Sequence, residues 1–282
     1  MQAGASSLQE FLFGSESLVV LTGAGVSTAS GIPDYRDEDG NWKHRQPIQF
    51  SEFRKSAAAR RRYWTRSFAG WRRFGSAQPN PAHHAIAELE TTGAVKSLVT
   101  QNVDGLHRLA GSRRVIDLHG DLSLVRCLDC GAAEARPDFQ ERLEHANPGW
   151  HVEVRQRRPD GDAALSEDRS TDEFVVPDCV TCGGVLKPDV VMFGEAVPKE
   201  RVEAAIADVE LADGLLVIGS SLMLYSGYRF ADLAAKRNIP IAIVNRGRTR
   251  ADPIATVKVE DDCTTVLPAA VERLRVERAV SV

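Results

Sequence analysis

Hydrophobic residues in this chain gather into short runs, at 18–21, 95–100, 115–118, 215–218 and 239–244, each bounded by turn-forming residues. The runs are rich in Val, Ile and Leu and lack polar alternation, which is the pattern of strands buried on both faces of a parallel sheet. Between them lie helical patterns. "NPAHHAIAELETTG" has Pro81 near a helix start and Gly93 past its end, and "KERVEAAIADVELADG" puts Val202, Ala205, Ile206 and Val209 on one stripe. Strand and helix alternate, which predicts a doubly wound α/β domain. Two segments interrupt the alternation. Residues 38–75 are basic and aromatic, with Trp64, Phe68 and Trp71 at helical spacing, and predict helices packed on the main domain. Residues 121–192 carry four cysteines and few long apolar runs, and predict a small metal-stapled module. There is no internal repeat or low-complexity tract.

Composition sharpens this picture only in places. With 282 residues, 43% hydrophobic and 26% charged, the chain can bury one large core and a smaller satellite. No apolar run reaches the roughly 20 residues of a membrane span. The start "MQAGASSLQEFLFG" lacks a basic segment followed by an apolar one, so a cytoplasmic location is the expectation. The formal net charge of -4 gives no global attraction for nucleic acid, although charge is uneven. Segment 54–73 holds Arg54, Lys55, Arg60, Arg61, Arg62, Arg66, Arg72 and Arg73 without an acid; 160–173 holds Asp160, Asp162, Glu167, Asp168, Asp172 and Glu173 against Arg169. Both read first as solvated faces. Five cysteines, an odd number, argue against a pure disulfide framework.

The cysteine spacing carries more chemistry than their number. Cys127-x-x-Cys130 and Cys179-x-x-Cys182 form two knuckles, with Gly131 and Gly183–Gly184 following where tight turns need them. Such a pair presents four thiolates tetrahedrally to Zn²⁺ and fills its coordination shell, so the expected metal is structural and not catalytic. The 48 residues between the pairs exceed ordinary zinc-ribbon spacing, so an insertion must loop out. Two short-range disulfides or four free thiols are the alternatives, and Cys263 stands outside the set.

"GAGVS", residues 23–27, follows a predicted strand and offers glycines that let backbone approach a pyrophosphate. An ordinary dinucleotide site then expects a long helix, a second strand and a ribose-binding acid about 20 residues on. Here Gly31 and Pro33 break the helix early, and "EDGNWKHRQP" is polar and not a strand, which argues against a standard dehydrogenase. "TQNVDGLH", 100–107, places Gln101, Asn102 and Asp104 just past a strand end, where open α/β sheets bind ligands; a capped turn opening a helix at Asp104 fits the same spacing. "VIDLHG" brings His119 to the same edge, where an imidazole is suited to general-base work, although six other histidines are present.

Taken together, "GAGVSTASGIPDYR", "TQNVDGLH", "LHG" at 118–120, the two CxxC pairs, "LKPDVVMFGE" at 186–195 and "GSSLMLYSG" at 219–227 resemble the sirtuin family of NAD-dependent protein deacylases, in the family's order and over most of the chain. Tyr35 stands where many members have Phe, and with "PDGDAALSEDR" and "GSSLMLYSGYRFA" it resembles the class II branch. The resemblance implies an α/β fold: a Rossmann-like doubly wound parallel sheet of residues 1–37, 76–120 and 193–282 that binds NAD, and a smaller inserted domain made from the helical insertion 38–75 and the zinc-binding module 121–192. It implies one structural Zn²⁺ and NAD used as a co-substrate in the cleft between them. Gly23, Ala24, Gly25 and Ser27 would meet the phosphates, with Ile32, Pro33, Asp34, Tyr35 and Arg36 in a mobile loop. Gln101, Asn102 and Asp104 would surround the nicotinamide and its ribose. Gly219, Ser220, Ser221, Asn245, Arg246 and Gly247 would hold the adenosine half, with Cys263 beside the adenine. The implied reaction starts with attack of an acyl-lysine amide oxygen on the ribose carbon that carries nicotinamide. His119 then acts as base on a ribose hydroxyl, and the products are free lysine, nicotinamide and an acylated ADP-ribose. Acylated-lysine proteins would bind as extended peptides along "KPDVVMFGE", with Val191, Phe193 and Gly194 at the acyl tunnel; Val191 and Phe193 are equally at home in a core.

Tyr63-x-x-Arg66 falls at i, i+3 on the basic helix and resembles a pair with which some sirtuins bind acidic acyl groups, predicting a preference for carboxylated or bulky acyl-lysines. Composition makes 160–173 a surface loop, whereas the class resemblance sends it toward the cleft. Two rival functions stay open at this point: mono-ADP-ribosyl transfer to protein, and a silent zinc module binding nucleic acid through 54–73. Neither nucleic acid nor membrane is an expected partner.

Overall fold

The computed structural model describes residues 2–43, 47–151, 154–157, 159, 161, 163–165 and 170–280. In chain order the strands are β1 (Leu18–Thr22), β2 (Val95–Thr100), β3 (Val115–Asp117), β4 (Gly120–Cys127), β5 (Ala133–Ala135), β6 (Val154–Arg157), β7 (Ala163–Leu165), β8 (Leu186–Val190), β9 (Gly214–Ile218), β10 (Ile241–Val244) and β11 (Val257–Val259). The helices are α1 (Gln2–Phe13), α2 (Phe50–Lys55), α3 (Ala57–Phe74), α4 (Pro81–Thr91), α5 (Leu106–Leu109), α6 (Arg136–Ala146), α7 (Lys199–Glu210), α8 (Tyr225–Lys236) and α9 (Cys263–Val280).

The large sheet is parallel, in the order β11-β10-β9-β1-β2-β3. All five expected runs are strands of this sheet, and β1, β9 and β10 are buried at every position, as their unbroken apolar sequences require. One core, holding Leu18, Val20, Leu98, Leu216 and Ala242, lies under α1, α4 and α9; the opposite core, holding Val19, Leu21, Val217 and Ile243, lies under α7 and α8. From β1 the chain winds one way to β2 and β3, and later the other way through β9, β10 and β11. The carboxyl ends of β1, β2 and β9 therefore flank a topological switch point, where doubly wound sheets open a ligand crevice.

Three sequence expectations shift at their ends. The run 239–244 starts pairing only at Ile241, because Pro240 has no N–H to give the ladder and uses its carbonyl to accept from Leu215. Strand β3 stops at Asp117, one residue early. The helix expected after "GAG" is a 3₁₀ segment, Ala24–Ser30, ended by Gly31 in the left-handed region.

A second core forms where α2, α3 and α6 meet the antiparallel sheet β5-β4-β8, around Phe53, Trp64, Val125, Phe139 and Leu186. Trp64 is fully buried and its Nε1 donates to the Leu186 carbonyl at 3.2 Å. Pairing of β4 with β8 sets Cys127 opposite Leu186 and so brings the two distant CxxC knuckles together. Gly120 makes the crossing possible: its φ is +92°, and a Cβ there would lie 2.1 Å from the Asp189 carbonyl. The acidic tract falls partly outside the described residues, at 160, 162 and 166–169, but Asp172 approaches Arg61 at 3.9 Å. The basic face is similarly engaged within the fold, since Arg62 pairs with Glu52 and Arg72 with Glu144.

Candidate functional site

Two cavities open at the switch point. The first, about 470 Å³, runs from Asn245, Arg246, Gly247 and Cys263 past Gly219, Ser220 and Ser221 to Gly23, Ala24 and Gly25, and is closed by Pro33, Asp34, Tyr35 and Arg36. The second, about 230 Å³, adjoins it, between Ser27, Ile32, Asn102 and Asp104 on one side and Tyr63, Val191, Phe193 and Gly194 on the other. Ala24, Tyr35, Gln101, Asn102, His119, Phe193 and Leu224 line both, so His119 sits where the cavities join.

The first cavity needs its glycines. Gly219 sits at φ +58°, and a Cβ on it would meet the Val26 nitrogen at 2.4 Å, while the Gly25 amide donates to the Gly219 carbonyl at 2.8 Å. The turns after β1 and β9 thus touch backbone to backbone and leave room for a narrow, polar ligand above them. The loop over this floor is held by its own contacts. Arg36 stacks over Trp42 at 4.3 Å and donates to the Gly40 carbonyl, and Arg248 N–H fastens the loop at the Glu38 carbonyl. Tyr35, Trp42 and Phe193 form a mutual edge-to-face trio with centroids 5.7 to 6.1 Å apart. Trp42 lies in a stretch whose sequence shows only polarity and turns, and it is a member of the site that sequence reasoning missed.

Gln101, Asn102 and Asp104 extend from the end of β2 into a hydrogen-bonded array. Ser27 Oγ donates to Asp104 at 2.7 Å and accepts from Asn102 at 3.1 Å; Ser220 Oγ donates to Gln101 at 2.6 Å. Asp104 Oδ1 also accepts from the Leu106 N–H, so the capped turn and the site are one arrangement, not alternatives. Burial pushes the Asp104 carboxyl above its ordinary range, opposed by its hydrogen bonds from Leu106 and Ser27. Behind the array lie His83 and His107, 4.8 Å apart between ring centroids. His83 Nδ1 accepts from the Asn80 N–H and its Nε2 faces Ser27 at 3.4 Å; His107 Nε2 bonds Thr22 Oγ1 at 2.9 Å.

His119 is held by the Gln101 carbonyl, 2.9 Å from Nδ1. A carbonyl only accepts, so Nδ1 carries the hydrogen and Nε2 presents its lone pair to the cavity. Burial lowers the pKa of this imidazole, with the charges of Arg201 and Arg229 acting in the same direction against the Gln101 bond. A neutral base aimed at a cleft is the result.

The four knuckle sulfurs lie within 4.8 Å of one another, with Cys127 and Cys182 at 3.6 Å and Cys130 and Cys179 at 3.8 Å. None is in a disulfide, and all-thiolate chemistry at this spacing fits a four-coordinate Zn²⁺. The cluster belongs to the second core and contributes nothing to either cavity wall.

The two residues of the expected Tyr63/Arg66 pair differ in placement. Tyr63 lines the second cavity, but Arg66 is half-buried and does not line it. Tyr63 packs edge-on against Phe53 and Trp64. The edge expected of "KPDVVMFGE" exists, since β8 is terminal in its sheet, yet its Leu186 and Val190 carbonyls accept from Trp64 and Lys187. Lys187 also pairs with Glu195 at 2.9 Å, clasping the two ends of the segment that walls the cavity.

The family model of the Sir2 family matches residues 23–226. The chain belongs to the Sir2 family. This Sir2 chain is 55% identical to an NAD-dependent protein deacetylase of Xanthomonas axonopodis pv. citri, over 93% of its length and 89% of the relative's. It is 51% identical to human mitochondrial sirtuin-4, an NAD-dependent protein lipoamidase, over 93% of its length and 84% of the relative's. A Sir2 structure solved with a p53 peptide and NAD+ superposes with a TM-score of 0.76 at 29% identity, covering 97% of this chain and 98% of that one. Among the described residues, no helix is long and apolar enough to cross a membrane.

Proposed function

We propose that this Sir2 chain is an NAD-dependent protein lysine deacylase that transfers the acyl group to ADP-ribose and releases nicotinamide. The observation that carries the reading is the position of His119 at the junction of a glycine-floored cavity and a second, more apolar one. NAD enters the first cavity, with its phosphates over Gly23, Ala24 and Gly25 and its adenosine half toward Asn245, Arg246, Gly247 and Cys263. Its nicotinamide end reaches Gln101, Asn102 and Asp104. The acyl-lysine enters the second cavity between Val191 and Phe193, so that its amide oxygen faces the ribose. The neutral His119 then takes a ribose hydroxyl proton on Nε2, which lets that oxygen capture the acyl-derived carbon. The aromatic trio around Tyr35 excludes water while the intermediate is exposed. Redox chemistry is no part of the scheme, because NAD is cleaved.

The named activities of the relatives support the same class, as does the similar Sir2 structure solved with a p53 peptide and NAD+ together. The separate cores support dividing the chain into an NAD-binding domain of 1–37, 76–120 and 193–282 and a small domain of 38–75 and 121–192. Thiols kept free for a metal suit a reducing cytoplasm.

For acyl choice, the second cavity has Ile48, Val103, Val191, Phe193 and Val197 in its walls together with Tyr63. We read this as selection for bulky acyl groups, with Arg66 outside the recognition of a terminal carboxylate. The test is an NAD-dependent panel of acetyl-, lipoyl-, succinyl- and glutaryl-lysine peptides, with His119→Ala as control and Arg66→Ala as probe. Nicotinamide release that depends on acyl-peptide and on His119 is the expected result, with an unchanged ranking in Arg66→Ala. Labelled acceptor protein without peptide turnover would instead mark mono-ADP-ribosyl transfer as the activity.

A further inference from the structure

Ser226, the second residue of α8, has its Oγ 3.0 Å from His119 Nε2 and lines the second cavity. Because Nδ1–H is committed to the Gln101 carbonyl, the resting contact runs from the Ser226 hydroxyl, which donates, to the Nε2 lone pair. A hydroxyl is both donor and acceptor, and the same contact reverses when the ring is protonated. We propose that Ser226 is a positioning residue for the base, supplying the hydrogen-bond acceptor that the His119 imidazolium requires after it has taken the ribose proton. The inference rests on the deacylase reading above.

The proton balance shows where the acceptor is needed. The ribose O–H bond breaks and its proton moves to Nε2, while the electron pair stays on oxygen and forms the new bond to the acyl-derived carbon. The ring then carries N–H at both nitrogens. Nδ1–H keeps Gln101, but Nε2–H loses its partner as the ribose oxygen turns toward carbon. A charged N–H left bare in a buried site is costly. Ser226, already in contact, rotates its hydrogen away and accepts; Nε2 later returns the proton to the departing amine or to water, and the resting contact is restored. Thr, which keeps the hydroxyl, should serve; Ala should not.

Nicotinamide leaves before the base acts, so the two half-reactions can be read separately. Exchange of labelled nicotinamide into NAD, with acyl-peptide present, reports the first, and formation of acylated ADP-ribose reports the second. With Ser226→Ala, product formation is expected to fall about 10- to 100-fold, the scale of one hydrogen bond to a charged group, while exchange is retained. The acid limb of product formation should also move to lower pH, because the imidazolium has lost its acceptor, and Ser226→Thr should keep wild-type behaviour. Equal losses in exchange and product formation, or no loss in product formation, would overturn the proposal. Wild-type protein that releases no nicotinamide with any acyl-lysine peptide would remove the deacylase reading itself, and this inference with it.

Discussion

Acidification should strip stability from this protein through two histidines that lie behind the site. His83 and His107 are buried, and burial holds their pKa values down to about 4 and about 3, against 6.5 for a free imidazole. The geometry agrees: His83 Nδ1 accepts the Asn80 N–H, and protonation there would set N–H against N–H at the start of α4. Because the folded pKa lies below the unfolded one, the unfolded chain binds more protons as pH falls below 6.5. Stability is therefore intact at neutral pH and lost on the acid side, down to the folded values. At pH 5 both rings are still neutral in the folded state, and each has cost about 2 kcal/mol, or about 4 kcal/mol together. That is a large part of the roughly 5–15 kcal/mol that holds a domain folded. Urea unfolding of wild type and His107→Gln at pH 7 and pH 5 measures it. The variant should start less stable at pH 7 yet lose about 2 kcal/mol less on going to pH 5. An identical pH-dependent loss in the two proteins would refute the claim that His107 is buried and neutral. Since His83 faces Ser27, which bonds Asp104 and Asn102, activity of the folded enzyme should fade through this ring only as pH falls to about 4, where His83 itself protonates.

Other perturbations have equally definite outcomes. Removing zinc by chelation, or Cys130→Ser, should unfold the knuckles and loosen the core around Trp64, seen as loss of one bound zinc per chain and a lowered Tm; unchanged stability in metal-free protein would contradict a structural site. Gly219→Ala forces a Cβ onto the Val26 nitrogen at positive φ, so NAD binding by calorimetry should weaken at least about tenfold, with strain of order 1–3 kcal/mol in the fold. Lys187→Met breaks the clasp to Glu195 and should raise KM for acyl-peptide while leaving KM for NAD in place; equal change in both would show general damage.

What the sequence discloses follows from how local the cause is. β1, β9 and β10 are legible because burial at every position leaves them almost entirely apolar, whereas β11, three residues with Lys258 in the middle, carries too little pattern to be seen. The glycine turn, the array from Gln101 to Asp104, and His119 are readable because each sits just past a strand end. The zinc ligands are readable as spacing, but only the β4–β8 register explains how knuckles so far apart meet. Ser226 falls within the quoted "GSSLMLYSG" stretch, yet nothing local shows its role, because it reaches His119 across 107 residues. Trp42 is hidden in a polar loop, and i, i+3 spacing makes Tyr63 and Arg66 neighbours on a helix without saying that Tyr63 is the one that lines the cavity.

The central claim is that the site cleaves NAD and hands the acyl group to its ribose. The direct measurement is the product balance of one acyl-lysine peptide incubated with the protein and NAD, followed by mass spectrometry. Nicotinamide, deacylated peptide and acylated ADP-ribose should appear in equal amounts and vanish together in His119→Ala. Deacylated peptide with free carboxylate and intact NAD, or NADH in place of nicotinamide, would contradict the account.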